Sequence, residues 1–187
     1  MVGLGSYRTN IKTGKESLKF NGKKTDYKLI DFWKWSSSDL LSNTTRGKFA
    51  EFIVATAMDI ELTDVREEWG EFDLETKDKI RLEIKASSYL QTWHQYSYSK
   101  IIFSIKKEKN KSKRPSDFYV FCLLNHKDKK TVDPLNMDQW VFYVLSTKII
   151  DNKFNNKNSI SLEILGKMTN YIKYNELKEK IINEYRK

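Results

Sequence analysis

The sequence predicts an α/β fold of the mixed α+β kind, in which helices flank a central mixed β-sheet that contains a core hairpin. Residues 80–87 alternate between apolar and polar side chains after a polar turn, which is typical of a hairpin strand. Residues 118–124 and 140–145 are almost wholly apolar, as expected of strands covered on both faces. Residues 45–58 and 177–185 carry apolar side chains at helical spacing.

The chain has 187 residues, which is long enough for one domain with a sizeable core. We expect a basic N-terminal arm over residues 1–25, irregular or hairpin-like, followed by a single domain over residues 26–187. The arm contains four of the seven glycines and shows little apolar periodicity.

Apolar spacing, turn residues and capping residues define the other elements. We predict a helix over residues 26–35, a short helix through Leu40 and Leu41, strands over residues 61–65, 101–105 and 160–165, and a C-terminal helix that Asn175 caps. The helix over residues 45–58 is expected to start at a cap on Thr44 or Thr45. Its apolar stripe consists of Phe49, Phe52, Ile53 and Ala57.

The core hairpin brings three charged residues together. If residues 77–79 form the turn, Asp73 lies directly opposite Glu83, with Cβ atoms about 5 Å apart. Glu83 and Lys85 share one face of their strand, because they are two residues apart.

Two carboxylates at this separation repel each other unless a cation lies between them. Mg²⁺ suits the site, because it takes one or two carboxylates and leaves other positions to water and substrate phosphate; Mn²⁺ is expected to substitute. Asp73 and Glu83 are therefore predicted metal ligands, with the Ile84 carbonyl as a further candidate. Lys85 would stabilise the charge on an attacked phosphate or orient the attacking water. The alternative is a surface cluster of ion pairs, worth about 0–1 kcal/mol per pair.

The string Asp73…Glu83-Ile84-Lys85 resembles the metal-binding Asp, Glu and following Lys of the PD-(D/E)xK nuclease superfamily, which includes restriction and repair endonucleases. Residues 46–55 resemble the helix that leads into the hairpin of that superfamily. The resemblance implies a restriction endonuclease-like fold and a metal-dependent DNA endonuclease. It also implies that Glu51, on this helix, joins the catalytic group and holds a second ion or a metal-bound water.

The net charge of +9 is concentrated in two segments. Residues 1–25 carry six basic side chains against one acidic one, and residues 97–114 carry seven against one. Such clusters predict contact with a phosphate backbone. A merely lysine-rich composition would spread the charge more evenly. The predicted contacts in the second segment are Lys106, Lys107, Lys109, Lys111, Lys113 and Arg114.

An aromatic and amide-rich segment around Trp93 follows the hairpin. Trp93 is expected either to stack on nucleic-acid bases or to pack against the hairpin. The lone cysteine, Cys122, is expected in the core and fits a reducing compartment. No apolar run reaches the ~18 residues of a transmembrane helix, and the N-terminus lacks the apolar core of a signal peptide. We therefore expect a cytoplasmic protein that does not bind membranes.

These observations together predict a Mg²⁺-dependent phosphodiesterase that acts on nucleic acid, and a DNA endonuclease in particular. Cutting of both strands would favour a homodimer. One alternative is a catalytically silent nuclease fold that binds DNA without cutting it. Another is a basic scaffold for RNA, which would prefer RNA and need no metal.

Overall fold

The computed structural model describes residue 5 and residues 9–68, 70–107 and 114–187. They form two compact units, the first from Met1–Ser38 with Glu61–Glu68 and the second from Asp39–Ile60 with Trp69–Lys187. The division predicted from the sequence, an arm up to residue 25 and a domain after it, stays a prediction. No helix within the described ranges is long and apolar enough to cross a membrane.

The first unit contains a β-hairpin and a helix. Strands β1 (Ser17–Phe20) and β2 (Lys23–Lys28) pair antiparallel across a turn at Asn21 and Gly22. Both turn residues have positive φ, 48° and 74°, which gives the backbone twist that a two-residue hairpin needs. Helix α1 (Leu29–Ser37) follows directly, so it begins three residues later than predicted.

Helix α1 begins at Leu29 because Asp31 caps the chain there. The Asp31 carboxylate accepts a hydrogen bond from the backbone N–H of Lys28 at 2.8 Å. Lys28 has extended backbone angles and is the last residue of β2, so the strand runs into the helix without a connecting loop.

The second unit begins with a turn and helix α2 (Asn43–Ala57). The Asp39 carboxylate accepts hydrogen bonds from the backbone N–H groups of Leu41 and Ser42, at 3.0 and 3.1 Å. This segment is therefore a turn, and the predicted short helix through Leu41 is wrong. The Ser42 hydroxyl caps α2 by accepting from the N–H of Thr45 at 3.3 Å, so the cap is a serine rather than the predicted threonine.

The remaining elements of this unit are β3 (Leu74–Glu75), β4 (Arg81–Ser88), β5 (Ile102–Ser104), β6 (Phe118–Leu124), β7 (Trp140–Ser146), α3 (Thr147–Phe154), β8 (Ser159–Ser161), α4 (Leu162–Met168) and α5 (Leu177–Tyr185). The central sheet has the strand order β3–β4–β6–β7. Strands β4 and β6 are parallel, and the two outer pairings are antiparallel. The predicted central mixed sheet with flanking helices is therefore confirmed.

The central sheet carries a separate apolar core on each face. On one face, Ala50, Ile53 and Val54 of α2 and Leu177 and Ile181 of α5 pack against the sheet. The core on the other face includes residues of β5, β8, α3 and α4. Side chains alternate along a strand, so β4 presents its apolar residues to the first core and its charged residues to the second face.

Three predicted strands differ from the structure. Residues 61–65 form no strand. The segment at 101–105 is a strand only from Ile102 to Ser104, and it pairs with β8 outside the central sheet. The segment at 160–165 leaves the strand at Ser161 and continues as α4.

Serine caps explain the helices that the apolar pattern did not predict. The hydroxyl of Ser161 accepts from the N–H of Ile164 at 3.4 Å, which starts α4. The hydroxyl of Ser146 accepts from the N–H of Ile149 at the same distance, which starts α3. Both helices begin directly at the end of a strand, so a continuous apolar pattern hides the change of structure. Helix α5 was predicted, but a 3₁₀ turn leads into it and Asn175 is not its cap.

Candidate active site

The core hairpin has the predicted register. Leu74 pairs with Leu82, and the N–H of Thr76 donates to the carbonyl of Ile80 at 2.9 Å. The turn is therefore formed by residues 77–79, with Lys79 in the left-handed region at φ 63°. The last regular pair, Leu74 with Leu82, brings Asp73 next to Glu83, but Asp73 and Glu83 are not themselves paired in the ladder. Their direct opposition stays a prediction.

Strand β3 begins only at Leu74, because Asp73 leaves the regular ladder. Its backbone N–H donates to the carbonyl of Leu82 at 3.1 Å. Its carboxylate turns along the edge of β4 and accepts a hydrogen bond from the N–H of Ile84 at 2.6 Å. Asp73 is thus held beside Ile84, which lies between Glu83 and Lys85 in the sequence.

Glu83 and Lys85 form an ion pair on the second face of β4, with Nζ and Oε1 at 2.5 Å. Their side chains are partly buried, with 21% and 28% of their surface exposed. The sequence predicted a metal ion as the cation between Asp73 and Glu83. The Lys85 ammonium group also provides a positive charge there.

Glu51 lies on α2 and is largely buried. Burial raises the pKa of the Cys122 thiol in the neighbouring strand β6, and the negative charges of Asp73 and Glu51 raise it further. The two carboxylates thus share the Cys122 thiol as an electrostatic neighbour. Cys122 is fully buried, as predicted.

The sequence model of the bacteriophage T4 endonuclease IV family matches residues 7–164, which include the whole hairpin and α2. The chain belongs to this family. Membership identifies a DNA endonuclease, and thus a hydrolase that acts on nucleic acid. No curated protein matches the chain significantly. The match does not extend to the PD-(D/E)xK superfamily, so that resemblance stays a prediction.

In this endonuclease IV family member, the role predicted for Glu51, at a second ion or a metal-bound water, stays a prediction. Within the described ranges, no three Asp, Glu, His or Cys side chains converge as a metal-binding group. Asp73 and Glu83 are the pair that the hairpin places side by side. Glu51 approaches this region from α2 and is not gathered with them into one three-carboxylate group.

Tyr119 is a neighbour of the site that the sequence did not predict. It pairs with Glu83 in the parallel register of β4 and β6. Burial raises the pKa of its hydroxyl to about 12, and the charge of Glu83 adds to this, while Arg114 opposes it. Its hydroxyl therefore stays protonated at neutral pH and can donate a hydrogen bond, but it cannot act as a base.

Arg114 is buried, and its guanidinium group forms an ion pair with Asp151 and donates to the carbonyl of Ile105 at 2.7 Å. This position argues against the predicted direct contact with phosphate and gives Arg114 a structural role. Of the other predicted contacts, Lys106 is exposed and Lys107 is half-buried. Lys109, Lys111 and Lys113 lie outside the described residues.

Trp93 lies in the loop that follows β4, with 55% of its surface exposed. Packing against the hairpin would have buried it, so the first of its two predicted roles, stacking on a base, is the one its position favours. Its carbonyl accepts a hydrogen bond from Lys129 Nζ at 2.6 Å.

Proposed function

We propose that this endonuclease cleaves DNA in a reaction that requires Mg²⁺, at the edge of the sheet where β3 meets β4. The observation that carries the proposal is the fixed arrangement of Asp73 against Ile84, next to the paired Glu83 and Lys85. The same residues carry the resemblance to the PD-(D/E)xK superfamily.

The donor chemistry at this edge suits magnesium. Asp73 and Glu83 supply two carboxylates, and the carbonyl of Ile84, the residue whose N–H bonds to Asp73, is a further candidate ligand. Mg²⁺ needs only one or two protein carboxylates, because water and phosphate complete its coordination. When bound, the ion would polarise the scissile phosphate and lower the pKa of a bound water. Mn²⁺ should substitute, since it prefers the same oxygen ligands.

Lys85 is the residue that we assign to the charge developing on the phosphate. Its ammonium group is partly exposed and reaches Glu83 through a flexible side chain. A rotation about that side chain exchanges the Glu83 carboxylate for a phosphate oxygen. A positive group held at that point stabilises the transition state more than the ground state.

Glu51 and Asp73 would hold the attacking water. The Asp73 carboxylate keeps one oxygen on the N–H of Ile84, which leaves the other available. Glu51 is a buried carboxylate on helix α2, and its charge and that of Asp73 both raise the pKa of the Cys122 thiol. Two acceptors on separate rigid elements can orient a water molecule for in-line attack.

The test is digestion of plasmid and linear DNA with Mg²⁺, with Mn²⁺ and in chelator. We expect cleavage with either metal and none in chelator. Asp73→Asn and Glu83→Gln should abolish cleavage. Glu75→Gln is the matched control, because Glu75 is a carboxylate of the same hairpin that forms an ion pair with Lys79. Undiminished cleavage in chelator would contradict the proposal.

A further inference from the structure

The loop after β4 exposes an unusual number of aromatic rings. Tyr96 has 98% of its surface exposed, Trp93 55% and Tyr98 54%. The ring of His94 lies 4.8 Å from that of Tyr96 in an edge-on arrangement. Large aromatic side chains normally bury their surface, so a group of exposed rings in one loop marks a binding surface.

Side-chain hydrogen bonds hold the backbone of this loop in place. The hydroxyl of Thr92 donates to both carboxylate oxygens of Asp39, at 2.7 and 2.8 Å. The buried Gln91 donates to the carbonyl of Ser88 and to Ser99, both at 3.2 Å. The rings are therefore presented by an ordered backbone, and a ligand that stacks on them need not order the loop first.

Two of these rings, those of Tyr96 and Tyr98, line a cleft of about 370 Å³. We call it the aromatic cleft; its lining residues include Leu90, Gln95, Tyr96, Tyr98, Lys127 and Lys129. The Nζ atom of Lys127 lies 4.5 Å from the centroid of the Tyr89 ring and 5.7 Å from that of Tyr98. The cleft thus combines flat apolar surfaces with positive charge, and none of its lining residues is acidic.

We infer that the aromatic cleft binds a nucleobase of the DNA strand that is to be cut, with its phosphate beside Lys127 and Lys129. Every base offers a flat π-face to tyrosine, and every nucleotide carries a negative phosphate, so the cleft matches both parts of one ligand. The choice of DNA as occupant rests on the proposed function.

The position of the cleft along the chain supports this occupant. Leu90, which lines the cleft, is five residues beyond Lys85, which is at most about 17 Å along an extended strand. A strand of a few nucleotides can therefore contact Lys85 and the aromatic cleft together. The cleft would fix the register of the strand relative to the scissile phosphate, which makes its tyrosines positioning residues for the reaction.

The decisive variant is Tyr96→Ala, measured by fluorescence anisotropy with short labelled single-stranded and duplex oligonucleotides in chelator. The loss of one stacked base should weaken binding roughly 5- to 150-fold. Tyr96→Phe keeps the ring and should bind normally. Tyr171→Ala is the matched control, because Tyr171 is also exposed, at 57%, but does not line the cleft. Normal binding by Tyr96→Ala, or an equal loss in Tyr171→Ala, would overturn the inference.

A salt series tests the role of Lys127 at the phosphate. Lys127→Met should reduce the dependence of log K on log salt by about 0.7 with single strands and about 0.9 with duplex. An unchanged slope would overturn the role of Lys127. These measurements need no cleavage, so they fail separately from the proposed function. Binding that depends on Tyr96 without any metal-dependent cleavage would reject the proposed reaction and leave this inference standing.

Discussion

Two neighbouring regions of the molecule carry opposite chemistry. Strand β4 presents Glu83 and Lys85 beside Asp73, so its site contains more negative than positive charge. The aromatic cleft that follows is lined by two lysines and no carboxylate. Without a metal, the first repels a DNA backbone and the second attracts it. We therefore expect different residues to carry the two tasks, with cleavage at the hairpin site and DNA binding at the aromatic cleft.

The largest effect that separates the two tasks is expected from Lys85→Met. Removal of a charge that acts on the transition state should lower the cleavage rate by about 10²–10³. Affinity for DNA in chelator should stay nearly unchanged, because Lys85 is paired with Glu83 in the free protein. Single-turnover cleavage beside anisotropy gives both quantities. A parallel loss of affinity and rate would show that Lys85 holds the substrate as well.

A second prediction concerns Arg46, which connects helix α2 to the loop after β4. Its guanidinium group donates to the carbonyl of Leu41 at 2.5 Å, to Asn43 at 2.5 Å and to Gln91 of the loop at 3.4 Å. Arg46→Met removes the donor to the buried Gln91 and to the more exposed Leu41 and Asn43, and we expect a loss of about 1–3 kcal/mol in the free energy of unfolding. Urea denaturation measures it.

Arg46→Lys is the control for this variant, because it keeps the positive charge and loses the fork of donors. It should recover only part of the stability. If Arg46→Met unfolds at the same urea concentration as the wild type, the hydrogen bonds of Arg46 between α2 and the loop do not stabilise the fold.

The basic run, residues 106–114, should influence the affinity for DNA but not the rate of cleavage. Replacement of Lys106, Lys107, Lys109 and Lys111 by Gln should weaken binding to all DNA sequences, and it should flatten the salt slope by about 0.9 for each phosphate that is no longer neutralised. The rate at saturating DNA should not change. Filter binding over a salt series measures the slope, and an unchanged slope would mean that this run does not touch the backbone.

The smallest effect is expected in metal affinity. Lys85 neutralises part of the charge of Glu83, so Lys85→Met should raise the affinity for Mn²⁺ by about 3- to 10-fold, a small effect because the pair is partly exposed. Calorimetry measures it. If Lys85→Met binds the metal more tightly and cleaves DNA more slowly, Lys85 lies beside the metal but is not one of its ligands. Weaker metal binding would contradict the arrangement.

The site was predicted best where local patterns determine geometry. The alternation in β4 and the three-residue turn were enough to set the pairing of Leu74 with Leu82, next to Asp73 and Glu83, because the side chains of a strand have a period of two. The apolar run of β6 likewise predicted a strand covered on both faces, and all its residues are buried. These features depend on residues that are close in sequence.

Contacts between distant residues were not predictable. Arg114 looked like the end of a basic run, but the fold brings Asp151 to it and buries the pair. Nothing in the local sequence relates Arg46 to Gln91, which lie in different elements. The aromatic cleft also depends on Lys127 and Lys129, which the sequence places in an ordinary polar connection. Such groupings form only when the chain is folded.

The hydrogen bond between Asp73 and Ile84 also affects whether two copies of the protein can pair through the edge of β4. Strand β3 ends before this point, so the described part of the chain pairs no further residues with that side of β4. An open strand edge is a template on which the strand of another molecule can add. The Asp73 carboxylate occupies the first donor of that edge and places a negative charge there. The residue that we propose for catalysis therefore also blocks one of the N–H groups to which a strand of another molecule would bind.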